Sequence, residues 1–329
     1  MSLLSVADLR LTFGGLVAID GLSFSVDEAE IVSVIGPNGA GKTSAFNCVT
    51  GFYRPTSGRI TLRGRDLPGM RPSAIAGLGV ARTFQNLRLF GELSVLDNVR
   101  AGSHLWLRQS VLDALLHTPR YRRSERECTE QAHHWLDFVG LRGDRYGQAR
   151  NLPYGEQRRT EIARALARRP DLLLLDEPAA GLNHGEKAEM LDLIRRIQAL
   201  GVAIVLIEHD MGLVMEVSER VVVLNFGREI ADGRPEDVRR DPAVIEAYLG
   251  GDPTAAGDEA GGTATAGKGG TGEGGSGEEA AARHGERYGE RYGERRDDGA
   301  GEAEKAKKAG KAGEETAGDD GTAGGDANA

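Results

Sequence analysis

Cysteine is almost missing from this chain: Cys48 and Cys128 are the only two in 329 residues. Two thiols cannot build a disulfide framework, and their scarcity suits a reducing compartment. Long hydrophobic runs are missing too. The longest apolar stretches fall far short of the ~20 residues needed to cross a bilayer, and the N-terminus carries no secretion leader. A cytoplasmic location is expected. The sharpest lack is regional, because residues 251–329 contain no Leu, Ile, Val, Phe, Met or Trp. Such a segment cannot bury enough apolar area to offset the entropy of ordering. It is expected to be a disordered low-complexity tail, carrying the short repeat Gly285-Glu-Arg-Tyr-Gly-Glu-Arg-Tyr-Gly-Glu-Arg295. The net charge of −9 is regional as well, since 10 Lys and Arg face 18 Asp and Glu in 251–329. The rest is close to neutral and has no basic face to hold nucleic acid. One globular domain over 1–250 is expected.

What is present begins with Gly36-Pro37-Asn38-Gly39-Ala40-Gly41-Lys42-Thr43, a complete G-x-x-x-x-G-K-T sequence. It follows the apolar run Ile31-Val32-Ser33-Val34-Ile35. A buried strand, a glycine-rich turn and a helix starting near Lys42 are the context a phosphate loop needs. Glycines keep side chains out of the way, so backbone N–H groups can converge on phosphate oxygens at the positive end of the helix dipole. Lys42 would reach the β- and γ-phosphates, and the Thr43 hydroxyl would sit on Mg²⁺. The motif predicts binding of a nucleoside triphosphate.

Two further strand ends carry acids. Leu172-Leu173-Leu174-Leu175 suits a strand buried on both faces and ends in Asp176-Glu177-Pro178. Acids at the carboxyl end of such a strand point into the crevice where ligands bind. Asp176 is suited to the Mg²⁺ water shell and Glu177 to polarising an attacking water. The run Val202–Ile207 ends similarly, in Glu208-His209-Asp210. Between the runs, Met190, Leu193, Ile194 and Ile197 follow the i, i+3, i+4, i+7 pattern of an amphipathic helix. Strand, helix and strand make a βαβ unit of a doubly wound, mainly parallel sheet. His209 would face the same crevice as a donor toward the γ-phosphate. His133 and His134 lie in an expected helix and are assigned to the surface. Cys48 is expected to be a small buried residue in the helix after the loop.

The class is decided by Asn151-Leu152-Pro153-Tyr154-Gly155-Glu156-Gln157-Arg158-Arg159, ahead of a helical stretch from Thr160. It resembles the Leu-Ser-Gly-Gly-Gln signature of ABC-type ATPases. Gln85 in Arg82-Thr83-Phe84-Gln85-Asn86 resembles that family's glutamine loop. Phe13 before Gly14 is similar to its adenine-stacking aromatic, and Ala180-Gly181-Leu182-Asn183 to its D-loop. The resemblance covers the domain and implies an α/β phosphate-loop NTPase core. To that core it adds an N-terminal antiparallel β-subdomain and a helical signature subdomain at about 86–165. It implies a head-to-tail dimer that hydrolyses ATP between the loop of one subunit and the signature of the other. The implied nucleotide contacts are Phe13, the loop through Ser44, Gln85, and Leu152, Pro153, Tyr154, Gly155 and Glu156 toward the second subunit. Lys42, His209 and Glu177 are the implied catalytic residues, with Thr43, Gln85 and Asp176 on Mg²⁺. Pro153, Tyr154, Glu156 and Asn183 depart from the usual residues. In a heterodimer, the two sites would then be unequal.

Finer likeness extends to Phe13–Asp20, Arg82–Phe90, Leu152–Arg159, Glu208–Met211 and Asp241–Gly250, which look like the LivG-type ATPases of branched-chain amino acid importers. Expected partners are a second ABC ATPase, two membrane permease subunits and, indirectly, an extracytoplasmic binding protein. The expected location is the inner face of the plasma membrane. Importers of urea, amides or other amino acids have similar ATPases and stay open as alternatives, as does a soluble non-transport ABC ATPase. Lipopolysaccharide-export ATPases usually read Leu-Ser-Gly-Gly-Glu, unlike Leu152–Glu156.

Overall fold

Alternating apolar and polar residues near the N-terminus give way to solid apolar runs further on, and the two patterns build two kinds of sheet. The computed structural model describes residues 2–103 and 118–249; the tail assigned to 251–329 from composition lies outside them. Strands β1 (Leu4–Phe13) and β2 (Leu16–Val26) pair antiparallel, with register shifts within β1. Strand β3 (Ile31–Ile35) is buried at every residue and feeds helix α1 (Lys42–Val49). Strands β4 (Ser57–Leu62) and β5 (Arg65–Asp66) then complete an antiparallel sheet of order β2-β1-β4-β5. This is the expected N-terminal β-layer.

Helix α2 (Pro72–Gly77) and strand β6 (Val80–Arg82) return the chain toward β3's sheet. Helices α3 (Val95–Ser103), α4 (Pro119–Phe138) and α5 (Tyr154–Leu166) pack against one another between β6 and β7 (Leu172–Asp176). Helix α6 (His184–Ala199), β8 (Ala203–Ile207), α7 (Met211–Val217), β9 (Arg220–Asn225) and β10 (Arg228–Gly233) follow. Two short helices, α8 (Pro235–Val238) and α9 (Pro242–Leu249), close the described chain. The larger sheet runs β10-β9-β3-β8-β7-β6, parallel throughout except for β10. Its central strands β3, β8 and β7 are buried at all positions, because helices cover both faces.

The α6 stripe Met190, Leu193, Ile194 and Ile197 is buried as its spacing predicts. Two details differ from expectation. The signature is itself helical: α5 starts at Tyr154 rather than at Thr160, with Pro153 at the N-cap. Proline's fixed φ suits it to that opening position. His133 and His134 are half-buried rather than surface groups, with His133 beside the guanidinium of Arg145 and the ring of Tyr146. Cys48 is buried, as expected, and burial pushes its thiol up to about 12.

Candidate functional site

The β3–α1 loop can be built only with glycine at its two ends. Gly36 has φ 146°, and a Cβ there would lie 2.0 Å from the Leu224 carbonyl oxygen of β9. Gly41 has φ 104°, and its Cβ would lie 2.6 Å from the Ala18 oxygen of β2. Both sheets therefore press on this turn and fix its path. Gly41 is also the N-cap of α1, and no side chain caps that helix. Its first-turn N–H groups, at Lys42, Thr43 and Ser44, are the donors a helix end offers to an anion. Pro37, Asn38, Gly39 and Ala40 span the turn, and the Lys42 ammonium folds over it. Lys42 Nζ donates to the carbonyls of Gly36 at 2.6 Å and Pro37 at 3.0 Å. Burial lowers the Lys42 pKa, and the charges of Glu177 and Asp176 partly restore it.

The carboxyl ends of β7 and β8 converge on the same edge. Glu177 sits just past β7 with φ 48°, a left-handed backbone unusual for a side chain of that size. Its N–H donates to Ile207 O of β8 at 2.9 Å, which holds the strained turn. Glu177 Oε2 accepts from Gln85 Nε2 at 3.1 Å and lies 3.9 Å from His209 Nδ1. Gln85, Glu177 and His209 are thus together, with Lys42 close enough to feel the carboxylate. Most of the His209 side chain is exposed.

Asp176 is placed differently, as a buried acid gripped by a buried base. Arg82 Nη2 donates to Asp176 Oδ2 at 2.9 Å, and Arg82 Nη1 donates to Asn47 Oδ1 of α1 at 2.6 Å. The guanidinium also lies over the rings of Phe46 and Phe84, 5.3 and 4.9 Å from their centroids. Glu208, fully buried, accepts from the backbone N–H of Ala179 at 2.8 Å and of His209 at 3.2 Å. Burial pushes its carboxyl up and those hydrogen bonds pull it back. At the far end of β1, the half-exposed Phe13 ring meets Tyr53 edge-on at 5.1 Å.

The signature residues stand apart. Among the described residues no hydrogen bond or ion pair joins Leu152, Pro153, Tyr154, Gly155 or Glu156 to Gly36–Ser44. They pack instead on the turn after Glu177. A Cβ on Gly181 would lie 3.3 Å from the Tyr154 ring, and one on Gly155 would lie 2.8 Å from Glu186 Oε1. Asn183 and Glu186 form a reciprocal capping box at the start of α6. Sequence reasoning missed Arg82, Glu208 and Arg158. Only Arg158 had a usable signal, its i, i+4 spacing from Tyr154 on one helix face.

A family model of the ABC transporter matches residues 19–180, and one of the branched-chain amino acid ATP-binding cassette transporter matches 228–254. The high-affinity branched-chain amino acid transport ATP-binding protein LivG of Salmonella typhimurium is 50% identical over 249 residues, which are 75% of this chain and 98% of the relative. BraF of Pseudomonas aeruginosa, named for the same transport, is 49% identical over the same shares. The crystal structure of a nucleotide-free ATP-binding cassette from an ABC transporter matches with a TM-score of 0.66 at 30% identity. That match spans 75% of this chain and 99% of the other. The ADP conformation of an ATP-binding cassette gives the same TM-score at 31% identity over 76% and 99%.

The chain belongs to the ATP-binding cassette family, as a nucleotide-binding subunit of a membrane transporter. Within that family it falls in the branch of LivG and BraF, the branched-chain amino acid transport ATP-binding proteins.

Proposed function

We propose that this protein hydrolyses ATP to energise import of branched-chain amino acids, as one of two cassettes on the cytoplasmic face of two permease subunits. An extracytoplasmic binding protein would deliver the substrate. The observation that carries the reading is the match of 228–254 to the branched-chain branch, together with near-complete coverage of LivG. No helix among the described residues is long and apolar enough to cross a membrane, and in this reading the two permease subunits supply the transport path.

In this reading the Gly36–Ser44 loop cradles the phosphates of ATP, and Phe13 stacks on adenine. Lys42 leaves the Gly36 and Pro37 carbonyls for the γ-phosphate, where His209 also donates. Glu177, already hydrogen-bonded to Gln85, orients the attacking water. Positioning and electrostatics account for most phosphoryl-transfer catalysis, so a glutamate held by its neighbours suits that work. Thr43, Gln85 and Asp176 offer hard oxygens suited to Mg²⁺. Among the described residues no cluster of three or more His, Cys, Asp or Glu forms a metal cage. That fits an ion held by one or two protein oxygens plus substrate phosphates. Bound there, Mg²⁺ would offset charge on the β- and γ-oxygens. Leu152–Glu156 would close on the nucleotide of the second cassette.

The reading is tested by uptake of labelled leucine, isoleucine and valine in cells lacking their own cassette and supplied with this one and its permeases. Uptake dependent on Lys42 is expected. Uptake of urea or an amide in place of these amino acids would overturn the substrate assignment.

A further inference from the structure

Arg158 is the one arginine in the described chain with no exposed surface at all. A desolvated guanidinium is costly unless its donors are matched, and here each partner is informative. Arg158 Nη1 donates to Phe84 O at 2.6 Å and to Glu161 Oε2 at 3.2 Å. Arg158 Nη2 donates to Gln85 O at 2.8 Å and to the Tyr154 hydroxyl at 3.0 Å. Nε has no acceptor, so the whole hold rests on these four bonds. Glu161, equally buried, accepts from the Arg88 N–H at 3.2 Å through its other oxygen. Arg164 then lies over the Phe90 ring at 5.6 Å. Tyr154, Arg158 and Glu161 share one face of α5, at i, i+4 and i+7. That face grips the chain on both sides of Gln85.

Tyr154 stands where the family signature usually has its first glycine, and the structure gives that departure a use. A glycine would have no ring against Gly181 and no hydroxyl for Arg158. The tyrosine joins three things: the start of α5, the turn after Glu177, and, through Arg158, the backbone of Gln85. Gln85 in turn touches Glu177.

We propose that Tyr154, Arg158 and Glu161 are positioning residues that make α5 a stiff arm between two ATP sites. Its N-terminus completes the site of the second cassette, while its flank sets Gln85 in this chain's own site. Nucleotide held against the signature is thereby sensed at Gln85 and Glu177 of the same chain. This rests on the two-cassette reading above, and the test separates the two.

Amide hydrogen exchange is followed in the assembled transporter with and without a non-hydrolysable ATP analogue. In the unmodified complex, the analogue should protect 152–158 and 84–90 together. In Tyr154→Phe and Arg158→Lys, protection at 152–158 should persist while protection at 84–90 falls. Turnover should fall about three- to tenfold, as expected for losing one or two hydrogen bonds, with KM for ATP within about twofold and the Hill coefficient moving toward 1. Tyr154→Phe keeps the ring against Gly181, so it decides the matter if Arg158→Lys does not fold. Joint protection and unaltered turnover and cooperativity in Tyr154→Phe would overturn the arm and leave two cassettes standing. Absence of analogue-dependent protection at 152–158 in the unmodified complex would overturn both.

Discussion

The edge that faces phosphate and the flank of α5 that faces Gln85 are built by opposite rules. At the phosphate edge, conformation is fixed by backbone, through glycines pressed between sheets and a left-handed Glu177. The side chains there hold replaceable partners: Lys42 rests on its own loop's carbonyls, Glu177 on a glutamine, and His209 is largely open to solvent. On the α5 flank the side chains are the fixed part. Arg158 and Glu161 are buried, mutually paired and bonded to backbone that cannot withdraw. In the proposed reading, groups that would exchange partners when ATP arrives are held loosely, whereas groups that would carry the change are held hard. The two regions should therefore fail differently, one in chemistry and the other in folding and coupling.

The largest effect is expected at the phosphate edge. Glu177→Gln retains the shape and the contact with Gln85 but removes the carboxylate proposed to orient the attacking water, so turnover should fall by about 10²–10⁴. ATP affinity and thermal unfolding should stay as in the unmodified chain. A steady-state rate unchanged in the reconstituted complex would remove Glu177 from the chemistry and blur the contrast.

On the α5 flank, the expected order is reversed. Arg158→Met leaves Glu161 buried with a weaker set of partners and should lower the unfolding free energy by about 3 kcal/mol. Removing the second charge as well, with Glu161→Leu, should recover much of that loss, because a buried ion pair can be replaced by apolar groups at little net cost. The double variant should fold yet remain slow in turnover. Denaturant unfolding and ATPase rates of the pair separate the two effects, and a double variant with full activity would show the pair to be structural only.

Much of this is legible in the sequence. The phosphate loop, the all-leucine strand and the α6 stripe follow from local periodicity, which a chain carries residue by residue. The antiparallel entry sheet and the helical insert came through likeness to a family. What stayed hidden shares one cause. Arg82 with Asp176, and Arg158 with Phe84 and Gln85, join residues far apart in sequence, and nothing local marks a partner 70 or more positions away. An arginine in a polar stretch looks solvated until the fold closes over it. The start of α5 was missed for a different reason: Pro153 looks like a helix breaker, although proline is tolerated where a helix opens.

Glycine substitutions sharpen the backbone half of the comparison at smaller scale. Gly36→Ala places a methyl 2.0 Å from Leu224 O on a φ that alanine avoids, whereas Gly39→Ala meets nothing within 4 Å and carries only the cost of φ 83°. The first should destabilise by more than about 2 kcal/mol and the second by about 1 kcal/mol. Calorimetric unfolding of the two variants compares them directly. Equal losses would mean that conformation alone, and not the pressure of β9, dictates the loop.

The smallest effect is expected where the branch-specific C-terminus meets the shared phosphate loop. Helix α9 lies within the segment matched to the branched-chain family model. Val244 of the same helix packs in one apolar cluster with Ile35, the last residue of β3. Apolar packing thus seats the helix beside the strand that feeds the loop. Val244→Ala trims that contact and leaves the loop's own residues in place. Losing two methyl groups from this small cluster should cost about 1 kcal/mol in calorimetric unfolding, while KM for ATP and kcat hardly change. A fall in kcat at constant KM would instead mean that α9 acts on the chemical step, and the phosphate edge could no longer be described as set by backbone alone.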